Sequence, residues 1–395
     1  MTTWPLVALG DIFEIARGGS PRPIQNYITD DVDGVNWIMI ADASESSKYI
    51  TSTKKRIRKE GVKNSRMVYP GDFVLTNSMS FGRPYIMKTS GCIHDGWLVL
   101  SNRLENVDSN YFFHLLGSNA VYLEFARRAA GATVKNLNID LVKGVQIPLP
   151  PLEEQKRIAE ILDRAEELRS KRREAIAQLD TLTQAIFLEM FGDPITNPKG
   201  LSIKPLEDYL LFITSGGRGW AKFYAPSGSR FLRSLDVQMN CISKDDLTFV
   251  SPPNNAEARR TQVKTGDVLL TITGSRIGRA APVLNELHGA YISQHVAILR
   301  SDPKKISPLF LSFFLNFETG GQRQIAKVQY GQTKPGLNFD QIKNFQVPIP
   351  SIDLQQEFAD RVEAVEKLKA AHRASLSQLD ALFASLQHRA FRGEL

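Results

Sequence analysis

IPLPPLEEQKRIAEILD, residues 147–163, sets three prolines within four positions and then runs directly into a helical pattern. Two hundred positions later VPIPSIDLQQEFADRVE, residues 347–363, repeats the arrangement. Pro148 and Pro150 hold their segment extended. Pro151 suits a first helical turn, where its missing N–H costs nothing, and Glu153 and Glu154 favour a helix N-terminus. Each stretch is therefore a stiff elbow that sets the angle between whatever precedes it and the helix that follows. A Gly/Ser joint would serve if tethering alone mattered.

Working outward, the two copies keep one register. Residues 131–191 overlie 331–391 without a gap: Gly131/Gly331, Thr133/Thr333, Leu137/Leu337, Asn138/Asn338, Gln155/Gln355 and Gln178-Leu179-Asp180 over Gln378-Leu379-Asp380 all coincide. A repeat of this length is a structural unit written twice. Upstream the match continues with small shifts, from EIARGGSP (14–21) to FITSGGRG (212–219) and from PGDFVLTNSMSFGRP (70–84) to TGDVLLTITGSRIGR (265–279). The segments DFVLT, WLVLS, DVLLTIT and HVAILR read as strands. NYFFHLLGSNAVYLEFARRA and PLFLSFFLNF read as helices. The implied fold is α+β: two pseudo-repeated mixed α/β domains, each followed by a long helix. The expected boundaries are 1–146 for the first domain, 147–192 for the first elbow and helix, 193–204 for a linker, 205–346 for the second domain and 347–395 for the second elbow and helix.

Apolar or small residues in the first helix recur at Ile158, Ile161, Ala165, Leu168, Ala175, Leu179, Leu182 and Ile186, with Arg172 at the skipped place. The second copy has Phe358, Val365, Leu368, Leu379, Leu382 and Leu386, with His372 at the skip. Steps of three and four define a heptad seam. Ile158, Ile161, Leu168, Leu179, Leu182, Leu368, Leu379 and Leu382 are the expected spacer and partner interface. Helices of about 39 residues would be roughly 58 Å long. The segment between Phe191 and Leu206 reaches at most about 50 Å. Antiparallel pairing needs no return path, so the expectation is an antiparallel two-helix coiled coil with one domain at each end.

A chain of 395 residues, 42% hydrophobic and 23% charged, is globular and long enough for two or three domains. The net charge of +7 fits a polyanionic partner, nucleic acid being the commonest, and equally a basic soluble protein with no such partner. Cys92 and Cys241 lie far apart in no metal-binding spacing and read as buried thiols. The N-terminus lacks a basic region before its short apolar run, and no apolar run reaches 18 residues, so neither signal peptide nor membrane span is expected and the chain reads as cytoplasmic.

Catalytic signatures are missing. Ser251-Pro252-Pro253-Asn254 lacks the closing aromatic of an amino-methyltransferase motif and reads as a turn. There is no P-loop, and Gly18-Gly19 and Gly216-Gly217 lack dinucleotide-binding spacing. Glu154-Gln155-Lys156 resembles a nuclease E-x-K, but it sits in the helix entry and its repeat reads Leu354-Gln355-Gln356. His94, His288 and His295 have no metal-ligand spacing, so no metal site is expected. The pattern is that of a binding protein.

Loops that mix Arg or Lys with Gly, Ser, Thr, Asn or Gln are candidates for nucleic-acid contact, because glycine lets backbone approach phosphate and these side chains read base edges. They supply Arg17, Arg22, Asn77, Arg83 and Lys135 in the first half, and Arg218, Lys222, Ser275, Arg276, Arg279, Gln332 and Lys334 in the second. KKRIRKEGVKNSR (54–66) is the densest basic run. The loops hold corresponding places but carry different side chains, as two readers with different targets would.

The GD-φ-L-L-T-x-x-G-S-x-I-G-R segment, the following G-Q-T-x-P-x-L-N and the P-x-P-P-L-x-E-Q elbow, all duplicated, resemble the specificity subunit of type I restriction-modification systems. The resemblance spans essentially the whole chain. The second elbow departs at Ser351 and Leu354, and the first half replaces the Gly-Ser pattern with Ser78-Met79-Ser80-Phe81. The resemblance implies two target-recognition domains held apart by an antiparallel helical spacer, reading a bipartite gapped sequence in double-stranded DNA. It implies two methyltransferase subunits as partners, with restriction subunits in the full complex. S-adenosylmethionine would belong to the former, ATP and Mg to the latter, and no cofactor to this chain. The competing reading is a coiled-coil adaptor whose end domains bind proteins; steep salt dependence of binding separates the two.

Overall fold

A computed structural model describes residues 4–43, 48–77, 82–102, 107–129, 137–329 and 336–395. It separates into two compact units, residues 1–174 with 373–395 and residues 175–372. Each unit contains one mixed α/β domain and a half of each long helix.

In the first unit a five-stranded sheet runs in the order Phe13–Arg17, Trp97–Asn102, Phe73–Thr76, Pro84–Met87, Tyr49–Ile50. A second sheet runs Ile28–Thr29, Lys55–Ile57, Val35–Ile38, Gly91–Ile93, Arg66–Val68. Both mix antiparallel with parallel pairs. The apolar run after the sheet forms two helices, Ser109–Leu116 and Asn119–Ala129, broken at Gly117. Their buried faces pack with Phe13, Phe73 and Leu98.

The second unit repeats this plan. One sheet has the order Leu210–Ser215, Val296–Ser301, Asp267–Thr271, Ala280–Pro282, and the other Tyr224–Ala225, Phe249–Val250, Ser229–Leu232, Tyr291–Ile292. Helix Pro308–Asn316 covers the first sheet. Cys92 is buried, but Cys241 is exposed, so only one of the two cysteines is a core thiol.

The elbows are clipped as well as stiff. Buried Gln155 accepts the Asp108 N–H through Oε1 at 2.9 Å and donates from Nε2 to the Pro150 carbonyl at 2.9 Å. Asp108 is the N-cap of helix Ser109–Leu116. Gln355 does the same to the Ser307 N–H at 2.7 Å and to the Pro350 carbonyl at 2.9 Å, and Ser307 stands at the N-cap position of helix Pro308–Asn316. One glutamine thus ties each long helix to the N-cap of a domain helix and to the elbow's own carbonyl.

The long helices span Leu152–Phe191 and Ile352–Ala390. Gly192, at φ +78°, takes the left-handed position after the first. In the first unit Ile158 and Leu162 near the start of one helix share a core with Leu386 and Ala390 near the end of the other. In the second unit Ile186, Phe187 and Phe191 pack with Phe358, Val362 and Val365. The pairing is antiparallel in both.

The seam corrects half of the heptad reading. Its inner positions are Ile158, Leu162, Ala165, Arg169, Arg172, Ile176, Leu179, Thr183 and Ile186. Leu168 and Leu182 are instead 54% and 42% exposed, Leu368 and Leu382 52% and 51%. Ile161 is only partly buried, and Leu162 beside it is fully buried. In the second helix Val362, Lys369, Leu376 and Phe383 fill the alternate places. The reason is electrostatic. Arg169 donates from Nε to Asp380 Oδ1 at 2.7 Å, pairs with Glu166, and sets its guanidinium 4.3 Å from the centre of the Phe383 ring. Lys369 Nζ lies 2.7 Å from Asp180 and 2.6 Å from Glu366. The two triads, 166/169/380 and 366/369/180, are the same triad written with the halves exchanged. Where the first has Phe383 for Arg169 to stack on, the second has Thr183, and a lysine suffices. Burial works to lower the Lys369 pKa, but the two carboxylates outweigh it and hold it above its ordinary value, so the ammonium stays charged. No helix among the described residues is long and apolar enough to cross a membrane.

Candidate nucleic-acid interface

In the first domain strand Phe13–Arg17 ends in Gly18-Gly19, which folds onto the turn that joins Gly91–Ile93 to Trp97–Asn102. Gly18 N–H donates to the Trp97 carbonyl at 2.9 Å and Gly19 N–H to Ile93 at 3.1 Å. A Cβ at Gly18 would stand 2.0 Å from the His94 carbonyl oxygen, so only glycine allows this approach. Three of the residues nominated from sequence meet here, around a fourth that was not. Arg17 Nε and Asn77 Nδ2 donate to the Asp95 carbonyl at 3.1 and 2.7 Å. Arg22 Nη2 lies 3.6 Å from Asp95 Oδ2, with 83% of its side chain exposed. Ser20 Oγ donates to Asp95 Oδ1 at 2.8 Å. The Ser20 hydroxyl, helped by the residue's own backbone N–H and by Arg22, holds the Asp95 carboxyl below its ordinary pKa. Asn77 is buried and committed to this turn, so it positions rather than contacts. Arg83 lies apart, half-buried, its guanidinium 5.6 Å from the Tyr85 ring centre.

A cavity of about 680 Å³ opens beside the cluster, walled by Ile24, Trp37, Met39 and His94, with Arg22 and Asp95 at its polar edge. Burial pushes the His94 imidazole below its ordinary pKa, and its Nε2 has no hydrogen-bond partner among the described residues.

The second domain has the same backbone frame. Gly216 N–H donates to the Val296 carbonyl, and a Cβ there would stand 2.1 Å from the Ile292 oxygen. The turn bonds Trp97 N–H to His94 O and Val296 N–H to Ser293 O match at 3.0 Å, and Leu137 N–H to Asn77 O matches Leu337 N–H to Ile272 O, also at 3.0 Å. The side chains differ. Trp220 is buried there, its ring 5.3 Å from Phe231 and its indole N–H on Glu257 at 3.1 Å. Arg218, Lys222 and Ser275 are exposed. Arg276 donates to the Leu235 carbonyl at 2.8 Å, and Arg279 to Gln238, so both brace the 235–241 loop. Lys135, Gln332 and Lys334 lie outside the described residues.

Within the basic run 54–66, Lys54, Lys55, Arg58, Lys59, Lys63 and Arg66 are all exposed. The E-x-K string is spent along the helix: Glu154 pairs with Arg157 at 2.7 Å and Lys156 with Glu153 at 2.8 Å. Among the described residues no group of three or more His, Cys, Asp or Glu side chains could hold a metal ion.

Sequence reading missed Asp95 and the glutamine clips. Gln155 and Gln355 could have been found from their exact coincidence in the repeat. Asp95 follows a buried strand and faces the glycine pair, but nothing in a search for basic loops selects an acid.

A model of the type I restriction modification DNA specificity domain matches residues 1–178 and 248–381. The EcoBI and EcoKI specificity subunits of Escherichia coli are each 23% identical to the chain, covering 100% and 99% of it and 86% and 89% of their own length. The MjaVIII specificity subunit of Methanocaldococcus jannaschii is 21% identical over 95% of the chain and 89% of its own length. Among solved structures, a chain from a study of type I R-M complex assembly and conformational transition superposes with a TM-score of 0.64 at 19% identity, covering 100% of this chain and 99% of that one. The S subunit from M. genitalium gives 0.53 at 14% identity, covering 98% and 96%.

Proposed function

Because the chain belongs to the type I restriction-modification DNA specificity family, matched over more than half its length, we propose that its two domains, within 1–146 and 205–346, each read one half of a bipartite, gapped DNA target. The chain is a DNA specificity subunit and not itself a catalyst. Family membership disfavours the protein-binding adaptor.

The observation that carries the two-reader proposal is the repeated glycine-and-turn frame with unlike side chains: His94 and Asp95 in one copy, Ser293 and Gln294 in the other. A shared frame docks the duplex backbone through exposed Arg17, Arg22, Arg218 and Lys222, and the variable residues read bases. The 54–66 run suits phosphate tracking. Arg83, Lys135, Ser275, Arg276, Arg279, Gln332 and Lys334 remain candidate contacts.

Two methyltransferase subunits dock on the spacer, with restriction subunits joining the full complex in the cytoplasm. Exposed Leu168 and Leu382 in one unit, and Leu182 and Leu368 in the other, are the apolar positions left over for them once the seam is filled. S-adenosylmethionine is held by the methyltransferase subunits and ATP with Mg by the restriction subunits. Clipped elbows and a register-locked seam suit a ruler that fixes the gap between half-sites. The test is exchange of residues 1–145 for those of a relative, in the assembled methyltransferase complex, followed by sequencing of the methylated motif. One half-site should change and the other stay. A change in both halves together would overturn the two-reader proposal.

A further inference from the structure

The residue at the centre of the first domain's basic loops is an acid. Asp95 stands among Arg17, Arg22 and Ser20, on a surface that must accept phosphate, and a carboxylate there repels phosphate. Its backbone is fixed by Arg17 and Asn77 and its Oδ1 by Ser20, while the side-chain group nearest Oδ2 among the described residues is Arg22 at 3.6 Å. With its side chain 46% exposed at the edge of the 680 Å³ cavity, that oxygen is open to a donor. Exocyclic amino groups of bases are the donors a duplex offers in the major groove, and carboxylates accept from them.

The repeat counterpart, fixed by the matching turn bonds, is Gln294. It is also polar: its Nε2 lies 3.2 Å from His295 Nε2, while its Oε1, like the Oγ of neighbouring Ser293, is buried with no hydrogen-bond partner among the described residues. A buried acceptor left unpaired is unfavourable, and a ligand that supplies a donor to it removes that cost. An amide can pair with the two-point edge of adenine.

Resting on the two-reader proposal, we propose that Asp95 and Gln294 are base-reading residues at equivalent places in the two domains, Asp95 accepting from an amino group of cytosine or adenine and Gln294 pairing with an adenine edge. The carboxylate selects twice, by accepting from the right base and by repelling a keto oxygen.

The test uses the full chain in complex with its methyltransferase partners, acting on a library of randomised sites, with Asp95→Ala, Asp95→Asn and Gln294→Ala. Asp95→Asn preserves shape and keeps the Ser20 contact, so one variant folds even if truncation does not. Both Asp95 variants should lose discrimination at one base pair of the first half-site by on the order of 10-fold or more, and leave the second half-site intact. Gln294→Ala should do the converse. Salt dependence should not change, because no phosphate contact is removed. Weakening that is uniform over all sequences would make Asp95 an organiser of the arginines and overturn the inference, as would an active variant with an unaltered motif. A wild-type complex that selects no gapped site would instead overturn the two-reader proposal on which it rests.

Discussion

Lys369 and Asp180 form one ion pair, yet removing either partner should have opposite consequences. The Lys369 side chain is 9% exposed and that of Asp180 57%. Asp180→Ala strands a buried ammonium with Glu366 alone. A charged hydrogen bond contributes about 1.5–3 kcal/mol, but the partner's exposure to water discounts this, leaving a cost of about 1 kcal/mol. Lys369→Met removes the cation, returns two half-exposed carboxylates to water and fills the seam with an apolar chain of similar volume, so it should be neutral or slightly stabilising. The double variant should resemble Lys369→Met. For a unit of this size about 1 kcal/mol corresponds to roughly 2–4 °C in Tm, which thermal denaturation followed by circular dichroism resolves. Asp380→Ala should cost less than Asp180→Ala, because Arg169 retains both Glu166 and the Phe383 ring. If Lys369→Met were the more damaging of the two, or if Asp380→Ala cost more than Asp180→Ala, the electrostatic account of the seam would fail.

Gln155→Ala and Gln355→Ala should each destabilise by about 1–3 kcal/mol, since each leaves an N-cap N–H and an elbow carbonyl unpaired in a buried place; urea unfolding checks this. Glutamate at Leu168 and Leu382 together should leave the Tm of the chain almost unchanged while abolishing co-elution with methyltransferase partners in size-exclusion chromatography. A heptad inserted in register into both long helices, between Leu179 and Leu182 and between Leu379 and Leu382, adds about 10 Å and should widen the recognised gap by roughly 3 base pairs without altering either half-site, as read from the methylated motif. Four residues inserted in one helix alone should misalign the seam and end specific binding.

The duplication, the elbows, the helix lengths and the antiparallel pairing were legible because proline, glycine and spacing act locally. The seam was half legible for a definite reason. Patterns stepping 3-4 and 4-3 from Ile158 share Ala165, Arg172, Leu179 and Ile186, and differ by one residue in between. Apolarity alone chooses Leu168 over Arg169. The structure chooses Arg169, because Asp380 and Phe383, far away in the chain, solvate it. Basic loops were legible from composition, but Asp95 was not: its role depends on Ser20, 75 positions upstream, arriving on a glycine pair whose only signal is the lack of a side chain.

Exchange of the halves in the two ion triads makes each long helix the complement of its own copy. A cation at 169 meets a carboxylate at 380, and a cation at 369 meets one at 180. Complementarity of a surface to its own copy is what an isologous interface requires. A chain carrying one half could close the same seam with a second molecule of itself, and its two identical readers would then be confined to palindromic sites. Joining the halves covalently releases that constraint: the frame stays symmetric, the readers diverge, and the number of addressable sequences grows as the product of two repertoires.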